Sequence, residues 1–185
     1  VDLVQRRAFN PNGTAMWFGA IVVLLDNLSM LTIILTGAAL LREREHGTIE
    51  HLLVMPLTSF QIVMSKVWAN GLIILAAFSI STLFVVEIIL DVPISGSRLL
   101  LVGGTTIYLF AAAAIGIFLA TITRTMAQFA LLMMMVIIPM MMLSGGLTPI
   151  ESQPEIIQPI TWFLPSRHYM SFAQAVVFRG AGLNV

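Results

Sequence analysis

The chain has 185 residues, of which 58% are hydrophobic and 10% are charged, and its nine basic side chains balance nine acidic ones. This composition is far more apolar than that of a soluble globular domain, so it indicates an integral membrane protein in contact with lipid. Since the net charge is zero, nothing favours a nucleic-acid partner, and none is expected. Cysteine is absent, which excludes disulfides, thiolate metal sites and cysteine nucleophiles.

Four apolar stretches are long enough to cross a bilayer as helices. A hydrocarbon core of about 30 Å requires about 20 mostly apolar helical residues. The stretches lie near residues 16–41, 67–90, 99–122 and 127–147. Long uninterrupted runs of this kind are typical of helices rather than of the short alternating strands of a barrel. The sequence therefore predicts an all-α, polytopic transmembrane helix bundle with four spans.

A polar loop, residues 42–66, joins the first two predicted spans. Its first residues continue the first span as a charged helical end, which Gly47 is predicted to break. Thr48 is placed to cap a short helix that ends at Pro56. The next residues, TSFQ at 58–61, have the spacing of a capping box and predict the start of the second spanning helix.

The last part of the chain, residues 148–185, differs in character from the spans. It combines prolines with aromatic and charged side chains and is too polar and too broken to cross a membrane. Such a mixture suits short helices that lie in, or dip into, the membrane interface. We therefore expect an interfacial or re-entrant segment on the side where the chain ends.

The charge pattern leaves the orientation of the bundle open between two choices. Four basic residues lie in the loops at 42–66 and 123–126, and five lie on the side of the chain ends. Charges that flank spans closely carry the most weight, and Arg42, Arg44 and Arg124 do so. On that criterion the two loops are expected in the cytoplasm.

Three sequence motifs resemble those of a known family. The stretch EREHGTIEHLLVMPLT, residues 43–58, resembles the signature of ABC-2 type transporter permeases, in which an acid, Gly-Thr and a second acid precede Leu-Leu and a proline. FNPN at 9–12 and MLSGGLTPIESQP at 142–154 are similar to further family motifs in the same order. The resemblance is closest to inner-membrane permeases of bacterial multidrug-type ABC exporters, which carry a large periplasmic domain.

The resemblance implies a domain organisation. Residues 1–13 would end the periplasmic domain, 14–147 would form the transmembrane domain with the second to fifth of six spans, and 148–185 would lie on the periplasmic side. We expect the remaining spans and most of the periplasmic domain to belong to a longer protein. The expected location is the bacterial inner membrane, crossed several times.

In the family the first cytoplasmic loop forms a coupling helix that sits in a groove of a separate ATP-binding subunit. A rigid capped helix joined to a span can transmit a push, whereas a flexible loop would absorb it. The alternative is an ordinary solvated loop. The resemblance implies that the contact is formed or positioned by Glu43, Glu45, Gly47, Thr48, Glu50, Leu53 and Pro56.

The resemblance also implies partners and a function. Two permeases and two ATPase subunits would form the exporter of a hydrophobic or amphipathic small molecule, with a periplasmic adaptor as a further partner. The sequence lacks a G-x-x-x-x-G-K-[ST] phosphate loop, so ATP and Mg would bind on the ATPase subunit, and this chain is expected to bind no cofactor and to catalyse no reaction. Two alternatives are a membrane scaffold or assembly protein and a membrane-embedded enzyme.

A metal site is not expected. The histidines and glutamate of HGTIEH, residues 46–51, match neither H-E-x-x-H nor H-x-x-E-H, and the glycine disrupts a shared helical face.

Several residues within the spans are candidates for a pathway or a helix interface. A carboxylate inside a span costs about 2.5–3.5 kcal/mol, so Asp26 is expected to face a partner, a cavity or water, unless it lies near the outer interface. Ser29 and Thr36 share roughly the same helical face. Met134 and Pro139 belong to a flexible, methionine-rich span that suits either a promiscuous apolar pathway or a lipid-facing surface.

Small residues in the third span predict close contact with neighbouring helices. Gly103, Gly104 and Gly116 leave the helix thin, which lets another backbone approach.

Overall fold

The computed structural model describes residues 15–47, 58–92, 94–146, 153–154 and 156–182. Across these residues the regular secondary structure is helical, which confirms the predicted fold class. The elements are α1 (Ala15–Glu45), α2 (Ser59–Ser81) with a π-helical continuation (Thr82–Ile89), α3 (Arg98–Ile122), α4 (Met126–Leu143), α5 (Gln158–Thr161) and α6 (Pro165–Arg179).

Four of these helices are long and apolar enough to cross a membrane: α1, α2 with its continuation, α3 and α4. Their number and order are as predicted. The fourth helix ends at Leu143, before the expected boundary at residue 147. Ser144 closes it with a hydrogen bond from its N–H to the Met141 carbonyl, and Gly145 has a φ of 89°, which an α-helix cannot accommodate.

The predicted capping box at the start of α2 is confirmed. The Gln61 N–H donates to the Thr58 hydroxyl at 3.3 Å, and the Thr58 N–H donates to Gln61 Oε1 at 2.9 Å. At its other end α2 widens into π-helical winding from Thr82 to Ile89, a rare conformation that the sequence did not predict.

Helix α1 lies at the centre of the bundle and packs against α3 more extensively than against any other element. The two backbones meet closely at Gly116, where a Cβ atom would lie 2.5 Å from the Ile33 carbonyl oxygen. Gly104 is similarly confined by the Phe172 ring of α6, so both confirm the predicted close packing. Gly103 faces open space, and the prediction was wrong for that residue.

Helix α6 runs antiparallel to the first half of α3. The Ser95 N–H, just before α3, donates to the Val177 carbonyl near the end of α6 at 3.0 Å. Tyr169, near the start of α6, contacts Tyr108 in the middle of α3. The side chains that α6 buries are mostly apolar: Ser166, Tyr169, Met170, Ala173, Val176 and Val177.

Candidate functional site

The last turn of α1 contacts each of the other three long helices through three consecutive residues, Glu43–Glu45, which we call the α1 end cluster. Glu43 forms an ion pair with Lys66 of α2. Both side chains are partly buried, with 30% of Glu43 and 12% of Lys66 exposed, so water screens this pair less than one on an open surface. The pair ties the start of α2 to the end of α1.

Arg44 reaches the C-terminal end of α3. Its Nη1 donates to the Ala120 carbonyl at 3.0 Å and to the Thr121 carbonyl at 3.3 Å. The last carbonyls of a helix lack partners within the helix and carry a partial negative charge. The guanidinium therefore satisfies these acceptors and complements the helix dipole, an effect of about 0.3–1 kcal/mol at exposed positions.

Glu45 reaches the N-terminal end of α4. Its Oε1 accepts a hydrogen bond of 2.8 Å from the N–H of Met126, the first residue of that helix. The first N–H groups of a helix lack internal partners and carry a partial positive charge, which a carboxylate complements. Thr125 caps the same end by accepting from the Gln128 N–H at 3.3 Å.

Helix α1 ends directly after this cluster. Gly47 has a φ of 68°, a left-handed conformation that favours glycine, and this confirms the predicted helix break. The remaining residues of the predicted coupling contact lie outside the described residues, as does the short helix expected there: Thr48, Glu50, Leu53 and Pro56.

A second polar cluster lies in the interior of the bundle. The rings of Tyr108 and Tyr169 stack with their centroids 4.1 Å apart and an angle of 5° between their planes. The Tyr108 hydroxyl donates to Ser29 Oγ at 2.7 Å, and the hydroxyls of Thr105 and Tyr169 share a hydrogen bond of 2.8 Å. The cluster joins α1, α3 and α6. Sequence reasoning missed it, although these are the chain's only two tyrosines.

The predicted polar face of α1 is buried. Asp26 is 5% exposed and forms no hydrogen bond or ion pair with the residues that the structure describes. Ser29, one turn further, lies in the contact with α3 through Tyr108. Thr36 is 1% exposed, and its hydroxyl likewise has no hydrogen-bond partner in the described part of the chain.

The structure does not bring the two candidates on α4 to this buried face. Met134 is 55% exposed, and Pro139 lies inside the helix on the outer surface of the bundle. The polar face of α1 and the methionine-rich surface of α4 are therefore separate features.

Two open apolar recesses border the bundle. One lies between α1 and α2 with a volume of about 300 Å³, and its polar groups come from Asn27 and Ser81. The other lies between α3 and α6 with a volume of about 410 Å³, where the rings of Tyr108 and Phe172 form part of the wall. Both could accommodate an apolar molecule of small size.

Among the described residues, no group of three or more histidine, aspartate or glutamate side chains is placed to hold a metal ion. His168 donates from Nε2 to the Trp162 carbonyl at 2.7 Å, and its ring lies edge-on to the Trp162 ring with the centroids 5.6 Å apart.

Comparison with known proteins identifies relatives of this bundle. Residues 5–178 match the family described as ABC-2 type transporter. The chain is 49% identical over 185 residues to the inner membrane transport permease YhhJ of Escherichia coli K12 and 29% identical over 187 residues to the probable multidrug ABC transporter permease YbhR of the same strain. No solved structure gives a significant match.

The matches to YhhJ and YbhR cover the whole chain but only 50% of each relative, so the chain spans about half the length of these proteins. The family match covers nearly all of the chain, and the four apolar helices agree with it. The chain is thus that of a multi-pass inner-membrane protein, and it belongs to the ABC-2 type transporter family.

Proposed function

We propose that this chain forms the transmembrane part of a permease subunit in an ATP-driven ABC exporter, which moves a hydrophobic or amphipathic small molecule out of the cytoplasm. The family match supports the permease role, and the names of YhhJ and YbhR describe permeases, in the second case of a probable multidrug ABC transporter. The chain itself would catalyse no reaction and bind no cofactor.

The observation that carries this proposal is the continuity of α1. Its 31 residues run without a break from the interior of the bundle to Glu45, two residues before Gly47 and the loop 48–57. At a rise of about 1.5 Å per residue such a helix is about 46 Å long. A force applied at the loop would therefore reach the buried residues of α1, including Asp26, through one stiff element.

The substrate class follows from the surfaces that the bundle offers. Both recesses are lined almost entirely by apolar side chains, with a few hydroxyl, amide or imidazole groups at their walls. Such surfaces favour apolar molecules that carry a limited number of polar groups. The exposed methionines of α4, including Met134, add a flexible apolar surface that can adapt to varied partners.

The energy would come from a separate ATPase subunit that binds ATP and Mg and docks on the loop 42–57. We expect two permease copies and two ATPase subunits in the working complex, with a periplasmic adaptor as a further partner. The acidic side chains of the loop, including Glu50, would form or position the docking contact.

A single substitution tests the coupling. We expect Glu50→Lys in the full-length permease to abolish most ATP-driven export while ATP hydrolysis by the complex continues, because a reversed charge disturbs the docking contact without touching the nucleotide site. The measurement is efflux of an amphipathic dye from proteoliposomes, with ATP hydrolysis recorded in parallel.

Glu151→Lys is the matched control, since it reverses the same type of charge in the segment that follows the fourth span. It should leave the ratio of export to hydrolysis unchanged. A purified complex without any ATPase, or a Glu50→Lys variant that exports as well as the parent, would contradict the proposed function and favour a scaffold role.

A further inference from the structure

We propose that Arg44 and Glu45 are positioning residues that hold the α3–α4 hairpin on the end of α1, so that a push on residues 48–57 reaches α3 and α4 as well as the two helices that these residues join. This inference rests on the proposed function, because it assigns the path by which a push from the ATPase would spread. The coupling contact alone would move only α1 and α2, the two helices that this stretch joins.

The hairpin presents two helix ends of opposite partial charge next to each other. Helix α3 ends at Ile122 and α4 begins at Met126, so its C-terminal carbonyls and the N-terminal amides of α4 are separated by only three residues. Arg44 binds the carbonyls, and Glu45 binds the first amide. Two adjacent side chains of opposite charge thus match two adjacent helix ends of opposite polarity.

The hairpin is itself a stiff unit. The Arg124 N–H donates to Gln128 Oε1 at 3.0 Å, and the Gln128 N–H donates to the Thr125 hydroxyl at 3.3 Å. At the C-terminal end of α3, the Thr123 hydroxyl donates to the Leu119 carbonyl at 2.9 Å. Because the turn has so few degrees of freedom, a displacement of its tip moves both helices.

The positions of Arg44 and Glu45 indicate that they transmit movement to the hairpin rather than stabilise the folded bundle. Arg44 and Glu45 lie at the edge of the bundle with exposed side chains, whereas the stable contacts between α1 and α3 lie deeper, around Ile33 and Gly116. Removing either charge should therefore leave the folded bundle intact and weaken the connection at its end.

The first test compares export per ATP in reconstituted complexes of the full-length permease with its ATPase. We expect Arg44→Gln combined with Glu45→Gln to lower the number of dye molecules exported per ATP by at least about fivefold, which is the lower end of typical coupling factors. Arg179→Gln is the matched control, because Arg179 lies exposed in the last turn of α6, away from the docking loop, and its side chain forms no hydrogen bond within the described residues. It should match the parent.

The conservative variant Arg44→Lys tests whether misfolding causes the expected fall in export per ATP. Arg44→Lys keeps a cation at the C-terminal end of α3 and should restore most of the coupling, even though it cannot form the same paired hydrogen bonds. A structural defect would instead lower ATP hydrolysis and export in proportion, leaving their ratio unchanged.

The second test measures the connection directly. The 185 residues contain no cysteine, so spin labels can be placed at His46→Cys and Arg124→Cys once any cysteines elsewhere in the full-length protein are replaced. With Arg44 and Glu45 present, the distance between the labels should stay the same in the nucleotide-free and nucleotide-trapped complexes. In the double variant the distribution should broaden and shift between the two states.

Two outcomes would overturn the inference: a double variant that exports as much per ATP as the parent, or label distances that the substitutions do not change. Either result would leave the proposed function standing if the parent complex transports. A parent complex that hydrolyses ATP without any export would instead refute the proposed function and remove the basis of this role.

Discussion

Asp26 is a buried carboxylate in the interior of α1, and its side chain forms no hydrogen bond or ion pair with the described residues. It lies one turn before Ser29, which accepts a hydrogen bond from Tyr108, and it has no ion-pair partner in the described part of the chain. A buried acid without a partner lowers the stability of the bundle, so its presence indicates a use other than folding.

We expect Asp26→Asn to leave the melting temperature of the detergent-solubilised permease unchanged or higher, while ATP-driven export falls severalfold. Asparagine keeps the size of the side chain and removes a charge whose insertion costs about 2.5–3.5 kcal/mol. Thermal unfolding and dye efflux measure the two effects separately.

Glu87→Gln provides the matched comparison. Glu87 is also a carboxylate in an apolar helix, but Arg98 binds it through two contacts of 2.8 Å. Since the Arg98 side chain is 67% exposed, Glu87→Gln should lower the free energy of unfolding only modestly, by at most about 1 kcal/mol. Asp26→Asn should instead leave the stability unchanged or raise it. A larger destabilisation by Asp26→Asn than by Glu87→Gln would show that Asp26 has a stabilising partner.

At the scale of elements, the contact between α1 and α3 depends on the absence of a side chain at Gly116. We expect Gly116→Ala to destabilise the bundle by about 1–3 kcal/mol, because its Cβ would lie 2.5 Å from the Ile33 carbonyl oxygen and the helices would have to separate. The measurement is thermal or denaturant-induced unfolding in detergent, followed by circular dichroism.

Gly103→Ala is the control on the same helix. A Cβ at Gly103 would meet nothing within 4 Å, and alanine favours a helix over glycine by about 1 kcal/mol, so this substitution should be neutral or stabilising. Equal effects of the two substitutions would show that the α1–α3 contact does not set the stability of the bundle.

Features that depend on nearby residues were accessible from the sequence. The four spans follow from the length of apolar runs, the start of α2 from the spacing of Thr58 and Gln61, and the end of α1 from Gly47. Each requires only interactions within a few residues, so a single sequence contains enough information to predict it.

Features that depend on distant residues were not accessible. Arg44 binds carbonyls 76 and 77 residues further along the chain, and Tyr108 stacks on Tyr169 across a change of direction in the backbone. The sequence alone therefore assigns Glu43 and Glu45 to a docking contact or to a solvated loop, whereas the structure shows that Glu43–Glu45 bind the other helices of the same bundle.

At the scale of the whole molecule, the alternation of four spans places Gly47 and Arg124 at one end of the bundle and Ser95 at the other. Basic residues that flank spans closely favour the cytoplasm for the first of these ends. The α1 end cluster lies at the same end, where an ATPase subunit would have to dock. The proposed export mechanism therefore requires this orientation.

Single cysteines test the orientation of the bundle. Because the chain has no cysteine, His46→Cys, Arg124→Cys and Ser95→Cys each introduce one reactive thiol into this segment, and all three positions are exposed. We expect a membrane-impermeant maleimide to label the first two only in inside-out vesicles and the third only in intact spheroplasts. Labelling of residue 46 from the periplasmic side would place the loop where no ATPase can reach it, and the coupling role would then be untenable. Labelling of residues 46 and 124 from opposite sides would mean that α2 and α3 do not both cross the membrane.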